Sequence, residues 1–205
     1  MKLLDLKLSR FTLLQTAQSG HGKTTRTLNA TRFGKLYVID FDGKIQGAAR
    51  STPASMTMNA EDVEVDTFSD PDLALAKVKE LAAMGDKIPY ATVAIDTFTT
   101  LNDLVFVKKM GASLEAGIKA DCEIWGKVDA FLTVFFNALF SIKANIIVNA
   151  HVAESEDEVT KRVKYAQAGR GGYRHKIALR FTDSHYLVFA YDKYQVRVKN
   201  SDTLP

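Results

Sequence analysis

An apolar run, Phe11–Thr16 (FTLLQT), passes directly into Ala17-Gln18-Ser19-Gly20-His21-Gly22-Lys23-Thr24-Thr25. The spacing is that of G-x-x-x-x-G-K-[ST], with Ala17 where the pattern has its first glycine. No other segment constrains the fold as tightly. A strand has to deliver the chain into a turn whose successive backbone N–H groups point inward, and Gly20 and Gly22 permit that turn. A helix opening at Gly22–Lys23 adds its unpaired first-turn amides to the same anion cradle. Lys23 then reaches the β- and γ-phosphates of a nucleoside triphosphate, and the Thr24 hydroxyl is a ligand for Mg²⁺. Gln18, Ser19, Gly20, His21, Gly22, Lys23, Thr24 and Thr25 are therefore the candidate ATP-binding stretch. Alanine is the smallest departure from glycine at position 17, and it is tolerated where φ is negative.

Downstream, the chain keeps alternating strand and helix patterns. Short apolar runs at Lys35–Asp40 (KLYVID), Glu64–Thr67, Tyr90–Asp96 (YATVAID) and Asn145–Ala150 (NIIVNA) read as strands. Helical patterns fall at Lys23–Phe33, from Pro71 to Met84, at Leu101–Met110 and at Glu123–Ile142. Tyr186–Ala190 and Gln195–Lys199 read as a C-terminal hairpin. Gly43–Gly47 and residues 152–176 read as loops. Apolar strands spaced by helices predict an α/β fold with a largely parallel sheet flanked by helices. With 205 residues and no linker-like tract, one domain over 1–205 is expected.

Acids stand where ligands bind in such sheets, at the carboxyl ends of strands. Asp96 closes VAID and is the candidate second group of the Mg²⁺ site; taken alone it is also an ordinary helix cap. Asp40 and Asp42 follow KLYVI. Asp42 is the candidate to orient or deprotonate the attacking water, with Asp40 as its structural partner. His151 follows NIIVNA and could contact the γ-phosphate, although a lone histidine is more often structural. His21, His175 and His185 form no zinc spacing, and the single cysteine, Cys122, carries no catalytic signature.

Charge is unevenly spread. Residues 1–160 carry 17 Lys/Arg and 21 Asp/Glu, whereas residues 161–200 carry 10 Lys/Arg and 2 Asp/Glu, so a net charge of +3 conceals a basic segment of +8. Such a segment suits a polyanion partner, or equally a solvated surface. No apolar run reaches the ~18 residues of a membrane span. That observation, the single cysteine and the charged N-terminus lead to the expectation of no membrane and a cytoplasmic location.

Taken in order, AQSGHGKTT, YVIDFDG, TVAIDTFTTL, the Trp125-Gly126 pair before a long helix, and NIIVNAH resemble the RecA-like core of phage-encoded nucleotide-binding proteins. These have an AAA-type ATPase domain and are related to the phage single-strand annealing recombinases. The resemblance covers about residues 8–192. It implies a RecA-like P-loop ATPase with ATP and Mg²⁺ as cofactors, Lys23 and Thr24 on phosphate and metal, and Asp96 as second acid of the Mg²⁺ site. It makes His151 the γ-phosphate sensor. Asp42 stands where relatives often carry a longer glutamate.

The resemblance also implies single-stranded DNA as partner, in phage recombination, annealing or repair, with DNA-stimulated hydrolysis in the host-cell cytoplasm. A loop over 152–172 would face the DNA, with Lys161, Arg162, Lys164, Tyr165 and Arg170 as contacts and Tyr173 available to stack; Lys108 and Lys109 are secondary candidates. It implies a homo-oligomeric ring or filament, in which Arg170, Arg174 or Arg197 would reach a neighbour's γ-phosphate, and a phage or host single-strand binding protein as a further partner. Two alternatives remain open: an ATP-gated oligomeric DNA-binding module that does not hydrolyse, and a small-molecule phosphoryl transferase with 152–176 as its lid.

Overall fold

The computed structural model describes residues 10–50, 58–156, 163–190 and 193–198. Its strands are β1 (Thr12–Ala17), β2 (Leu36–Asp40), β3 (Val63–Thr67), β4 (Thr92–Asp96), β5 (Asn145–Glu156), β6 (Val163–Gln167), β7 (Asp183–Ala190) and β8 (Lys193–Val198). Its helices are α1 (Lys23–Leu28), α2 (Ile45–Arg50), α3 (Pro71–Ala83), α4 (Phe98–Met110), α5 (Ala112–Glu115), α6 (Cys122–Ser141) and α7 (Tyr173–Lys176).

The sheet runs β3-β2-β4-β5-β1-β7-β8. Strands β3 through β7 in that order pair in parallel, and β8 returns antiparallel to β7 as the expected C-terminal hairpin. Alternate strand residues enter opposite faces. Leu14, Tyr37, Ile39, Val93, Ile95, Ile146 and Val148 pack with α3, α4 and α6. Leu13, Leu36, Val38, Ala94 and Ile147 pack with α1 and α2. Helices on both faces explain why β2 and β4 are buried at every position. The fold is thus the expected α/β P-loop core.

Caps place the long helices. The Asp70 carboxylate accepts from Asp72 N ahead of Pro71, Thr97 Oγ1 accepts from Thr100 N, and Asp121 accepts from Ile124 N. Helix α6 has 20 residues and is long and apolar enough, by length and composition, to cross a membrane. Here one stripe of it (Val128, Phe131, Leu132, Phe135, Phe136, Leu139) is buried against α3 and α4, while Thr133 and Asn137 face outward. That three-four spacing marks an amphipathic core helix.

Two expectations are corrected. Ile45–Arg50 is helical where a Gly43–Gly47 loop was expected, because Ile45 anchors a turn to the core despite Gly47. The chain after His151 is not a loop: β5 continues to Glu156, and Val152–Glu156 pairs antiparallel with β6. VAESE and VKYAQ mix apolar and polar residues without a continuous apolar run, and their strand identity comes from backbone pairing with each other.

Candidate nucleotide site

The chain leaves β1 with β5 on one side and β7 on the other, so β1 sits where the order of strands reverses. The phosphate-loop sequence lies at its carboxyl end. Gly20 and Gly22 have φ of 79° and 80°, the left-handed conformation that the turn requires. Gln18, Ser19 and Gly20 are exposed, whereas Lys23 is only 6% exposed. The Lys23 ammonium donates to the Ala17 and Gln18 carbonyls, each at 3.0 Å, so the loop wraps around it. Thr25, the last residue of the stretch, lies in α1 and is half-buried. His21 N donates to Gln18 O at 3.4 Å, closing the turn.

Asp96, at the end of β4, is separated from β1 by β5 rather than being on an adjacent strand. It is 1% exposed and accepts from the Thr24 hydroxyl at 2.7 Å and from Asn149 Nδ2 at 3.1 Å. Asn149 also binds Thr27 and accepts from Gln15 Nε2 at 3.1 Å. Gln15 and Asn149 pair in register across β1 and β5. A buried polar chain thus runs from β1 to Asp96, and every link is a hydrogen bond in a low-dielectric interior. Burial pushes the Asp96 carboxyl above its usual range, since its donors are neutral. Among the described residues it has no ion pair. A buried carboxylate with no direct ion pair, beside a hydroxyl, fits Mg²⁺, which takes few protein ligands and keeps several waters. Thr24 and Asp96 would hold it. The peptide joining Asp96 to Thr97 is cis.

Asp40 and Asp42 divide their work. Asp40, 2% exposed, accepts from the N–H groups of Asp42 and Gly43 at 2.9 and 3.0 Å and so shapes the turn after β2. Asp42 has different partners. It accepts a short hydrogen bond from the Thr100 hydroxyl, lies 3.7 Å from Lys44 Nζ, and has His151 Nε2 at 3.8 Å. His151, Thr100 and Lys44 hold its carboxyl down at about 2, against the effect of burial. His151 Nδ1 lies 3.3 Å from Lys23 Nζ. An ammonium can only donate, so Nδ1 accepts and the ring proton sits on Nε2, toward Asp42. Burial pushes Lys23 down to about 8, opposed by the charges of Asp96 and Asp42. The structure therefore brings Lys23, Thr24, Asp42, Asp96 and His151 together at one end of the sheet.

Three threonines after Asp96 carry roles the sequence did not disclose. Thr97 caps α4 and Thr100 holds Asp42. Thr99 Oγ1 accepts from His151 N at 2.9 Å and donates to Ala168 O at 3.2 Å, and Ala168 N returns a bond to His151 O at 2.7 Å. The histidine backbone, α4 and the segment after β6 are thereby laced together. The detectable signal was polar residues at strand ends and inside apolar runs (Gln15, Asn149, Thr97–Thr100).

The basic candidates are more scattered. Lys161 and Arg162 lie outside the described residues. Lys164 and Tyr165 are on β6, opposite Ser155 and Glu154 in register. Arg174 is in α7 and Arg197 in β8, opposite Tyr186. Arg170 is fastened to α4: its Nε donates to Asp103 at 2.8 Å, its guanidinium lies 4.8 Å from the Phe106 ring, and its N–H donates to Asn102 at 2.6 Å. Lys108 pairs with Asp70 and Asp72 at 2.5 and 2.7 Å, and Lys109 lies over Phe131 at 5.4 Å; both belong to α4 rather than to a loop. Tyr173 is buried against Phe136 and accepts from Arg180 at 3.0 Å, so in this fold it is a core residue.

A family model described as an AAA domain matches residues 10–192. The chain belongs to this family of AAA-type P-loop ATPases. The match spans β1 through the end of β7 and takes in every group placed above around the phosphate loop. No curated protein matches the chain. Membership of the AAA-domain family supports nucleotide binding and ATPase chemistry at the loop that the geometry singles out.

Proposed function

We propose that this AAA-domain protein binds Mg·ATP at Gln18–Thr25 and hydrolyses it. One observation carries the reading: Lys23, His151 and Asp42 form a contiguous chain beside the Thr24–Asp96 pair. Lys23 would neutralise charge on the β- and γ-phosphates. Thr24 and Asp96 would hold Mg²⁺, which would supply Lewis-acid neutralisation of phosphoryl oxygens. Water held by Asp42 attacks the γ-phosphorus, the bond to the β–γ bridging oxygen breaks with its electron pair staying on the departing ADP, and the water proton ends on the released phosphate. A carboxyl near pH 2 is a weak proton acceptor, so Asp42 acts mainly by orienting the water; a loose phosphoryl transition state asks for little more. His151, proton on Nε2, is positioned to report the γ-phosphate through Thr99 to the segment at Ala168.

The finer reading is action on single-stranded DNA by a ring or filament in phage recombination, annealing or repair. It is supported by the +8 charge of residues 161–200 and by the lacing of His151 to the β5–β6 arm. The low pKa of Asp42 favours one second reading, an ATP-gated assembly with negligible turnover. Phosphate release measured with and without a single-stranded oligonucleotide, across salt concentrations, separates them. Stimulation that falls steeply with salt is expected. Nucleotide-dependent assembly without phosphate release selects the gated reading, and no oligonucleotide binding at low salt removes the DNA reading.

A further inference from the structure

On the sheet face that carries α1, the strands β1 and β7 border a cavity of about 440 Å³. Arg26, Arg32, Gln15, His185, Phe11 and Phe33 line it, and none of residues 17–25 does. It is therefore separate from the phosphate loop, although Arg26 follows that loop directly in sequence.

Charge in this cavity is unbalanced. Arg26 Nη2 lies 2.9 Å from His185 Nδ1. A guanidinium only donates, so this histidine nitrogen accepts and contributes no negative charge. Arg26 Nη1 is buried and has no hydrogen-bond partner. Arg32 has no ion pair among the described residues; it lies 4.6 Å from the Phe33 ring centroid. The one lining carboxylate, Asp183, accepts from the Thr182 hydroxyl at 3.0 Å and pairs with neither arginine. A second orphan sits close by: Gln15 is fully buried, and its Oε1 lacks a partner. Buried polar groups in folded proteins are almost always satisfied, and an unpartnered guanidinium N–H is among the costliest exceptions. Burial and the Arg32 charge both depress the Arg26 pKa, in keeping with a cation that lacks a counter-charge. Beside the two guanidiniums, Phe11 and Phe33 meet edge to face with centroids 5.7 Å apart. They offer ring surface next to the charge.

We propose that this cavity is a second ligand site, for a small organic anion. Arg26 and Arg32 hold its phosphate or carboxylate group, and Phe11 and Phe33 contact its ring. The volume lies within the roughly 300–1,000 Å³ typical of small-molecule sites. Arg32 and Phe33 are exposed, so the anion enters from solvent. The inference does not depend on ATP hydrolysis.

The test titrates phenyl phosphate, benzoate and inorganic phosphate separately into the full chain. NMR of the Arg26 Nε–H and the His185 ring reads the cavity, while the Gly20 and Gly22 amides read the phosphate loop. Saturable shifts at Arg26 and His185 with phenyl phosphate or benzoate are expected, and the tighter of the two identifies the head group. Inorganic phosphate should bind the cavity more weakly than phenyl phosphate. Arg26→Gln should weaken binding about ten- to a hundredfold, as for loss of a charge-assisted hydrogen bond. Arg32→Gln, an exposed change that leaves the core intact, should weaken it about tenfold. Phe33→Ala should abolish the preference for phenyl phosphate over inorganic phosphate. The proposal is overturned if neither aryl anion gives saturable shifts at Arg26 and His185. It is equally overturned if Arg32→Gln leaves those titrations unchanged, or if the shifts appear only at Gly20 and Gly22.

Discussion

Raising the pH should weaken nucleotide binding while it stabilises the nucleotide-free fold, and a single lysine accounts for both. Burial holds Lys23 at about 8, well under the ordinary lysine value. One unit above that, at pH 9, about a tenth of the molecules keep the ammonium. If the triphosphate restores Lys23 to its ordinary range, the apparent Kd for ATP rises about tenfold between pH 7 and pH 9. Binding at pH 9 then takes up about 0.9 proton per nucleotide. Isothermal titration in buffers of different ionisation enthalpy reads that proton directly. Stability runs the other way. Between about pH 8 and 10.5 the unfolded lysine holds a proton that the folded one has released, so stability rises with pH in that window. The difference between wild type and Lys23→Met in urea unfolding isolates this contribution. Lys23→Arg does not titrate in the window, and its pH dependence should be flat. An ATP affinity for wild type that stays constant from pH 7 to 9.5, without proton uptake, would refute the reasoning.

Three further outcomes follow from the geometry. Thr100→Val removes the hydroxyl that orients Asp42 and should lower kcat about tenfold or more with little change in nucleotide affinity, while Thr100→Ser restores it; a change in KM alone contradicts that role. Gly171→Ala should destabilise by about 1–3 kcal/mol in urea unfolding, since φ is +71° and the added Cβ would fall 2.9 Å from the Trp125 ring; an unchanged midpoint contradicts it. Phe136→Ala, truncating a fully buried ring at the centre of the α6 face, should cost about 3–5 kcal/mol by the same assay, and a loss under 1 kcal/mol would show that this helix does not anchor the core.

Much of the architecture was readable because it rests on local chemistry. Gly20, Gly22 and Lys23 dictate the loop, and apolar runs buried on both faces betray β2, β4 and the first half of β5. The second half of β5 was not readable. VAESE carries no apolar stripe, and its strand identity comes from pairing with β6, a contact between segments that neither encodes alone. The same distinction holds in the site. Asp40 and Asp42 were paired from their spacing, but only the fold brings Thr100 under Asp42 and Asn149 onto Asp96, across separations of 58 and 53 residues. Arg170 shows the opposite case. Its charge suggested a DNA contact, and the fold adds partners that the sequence did not show, Asp103 at 2.8 Å and the Phe106 ring, while the side chain stays exposed. Lys176, 3.4 Å from Asp129, and Arg180, 2.6 Å from Asn137, are engaged in the same way, so part of the +8 segment is neutralised or tethered within the molecule.

The most direct test of the site is phosphate release from ATP by the purified chain in Mg²⁺, wild type against Lys23→Ala. Wild type should turn over ATP, and Lys23→Ala should abolish both turnover and ATP binding. Equal phosphate release by the two proteins, or unchanged ATP affinity in the variant, would contradict a nucleotide site built around the wrapped lysine at the end of β1.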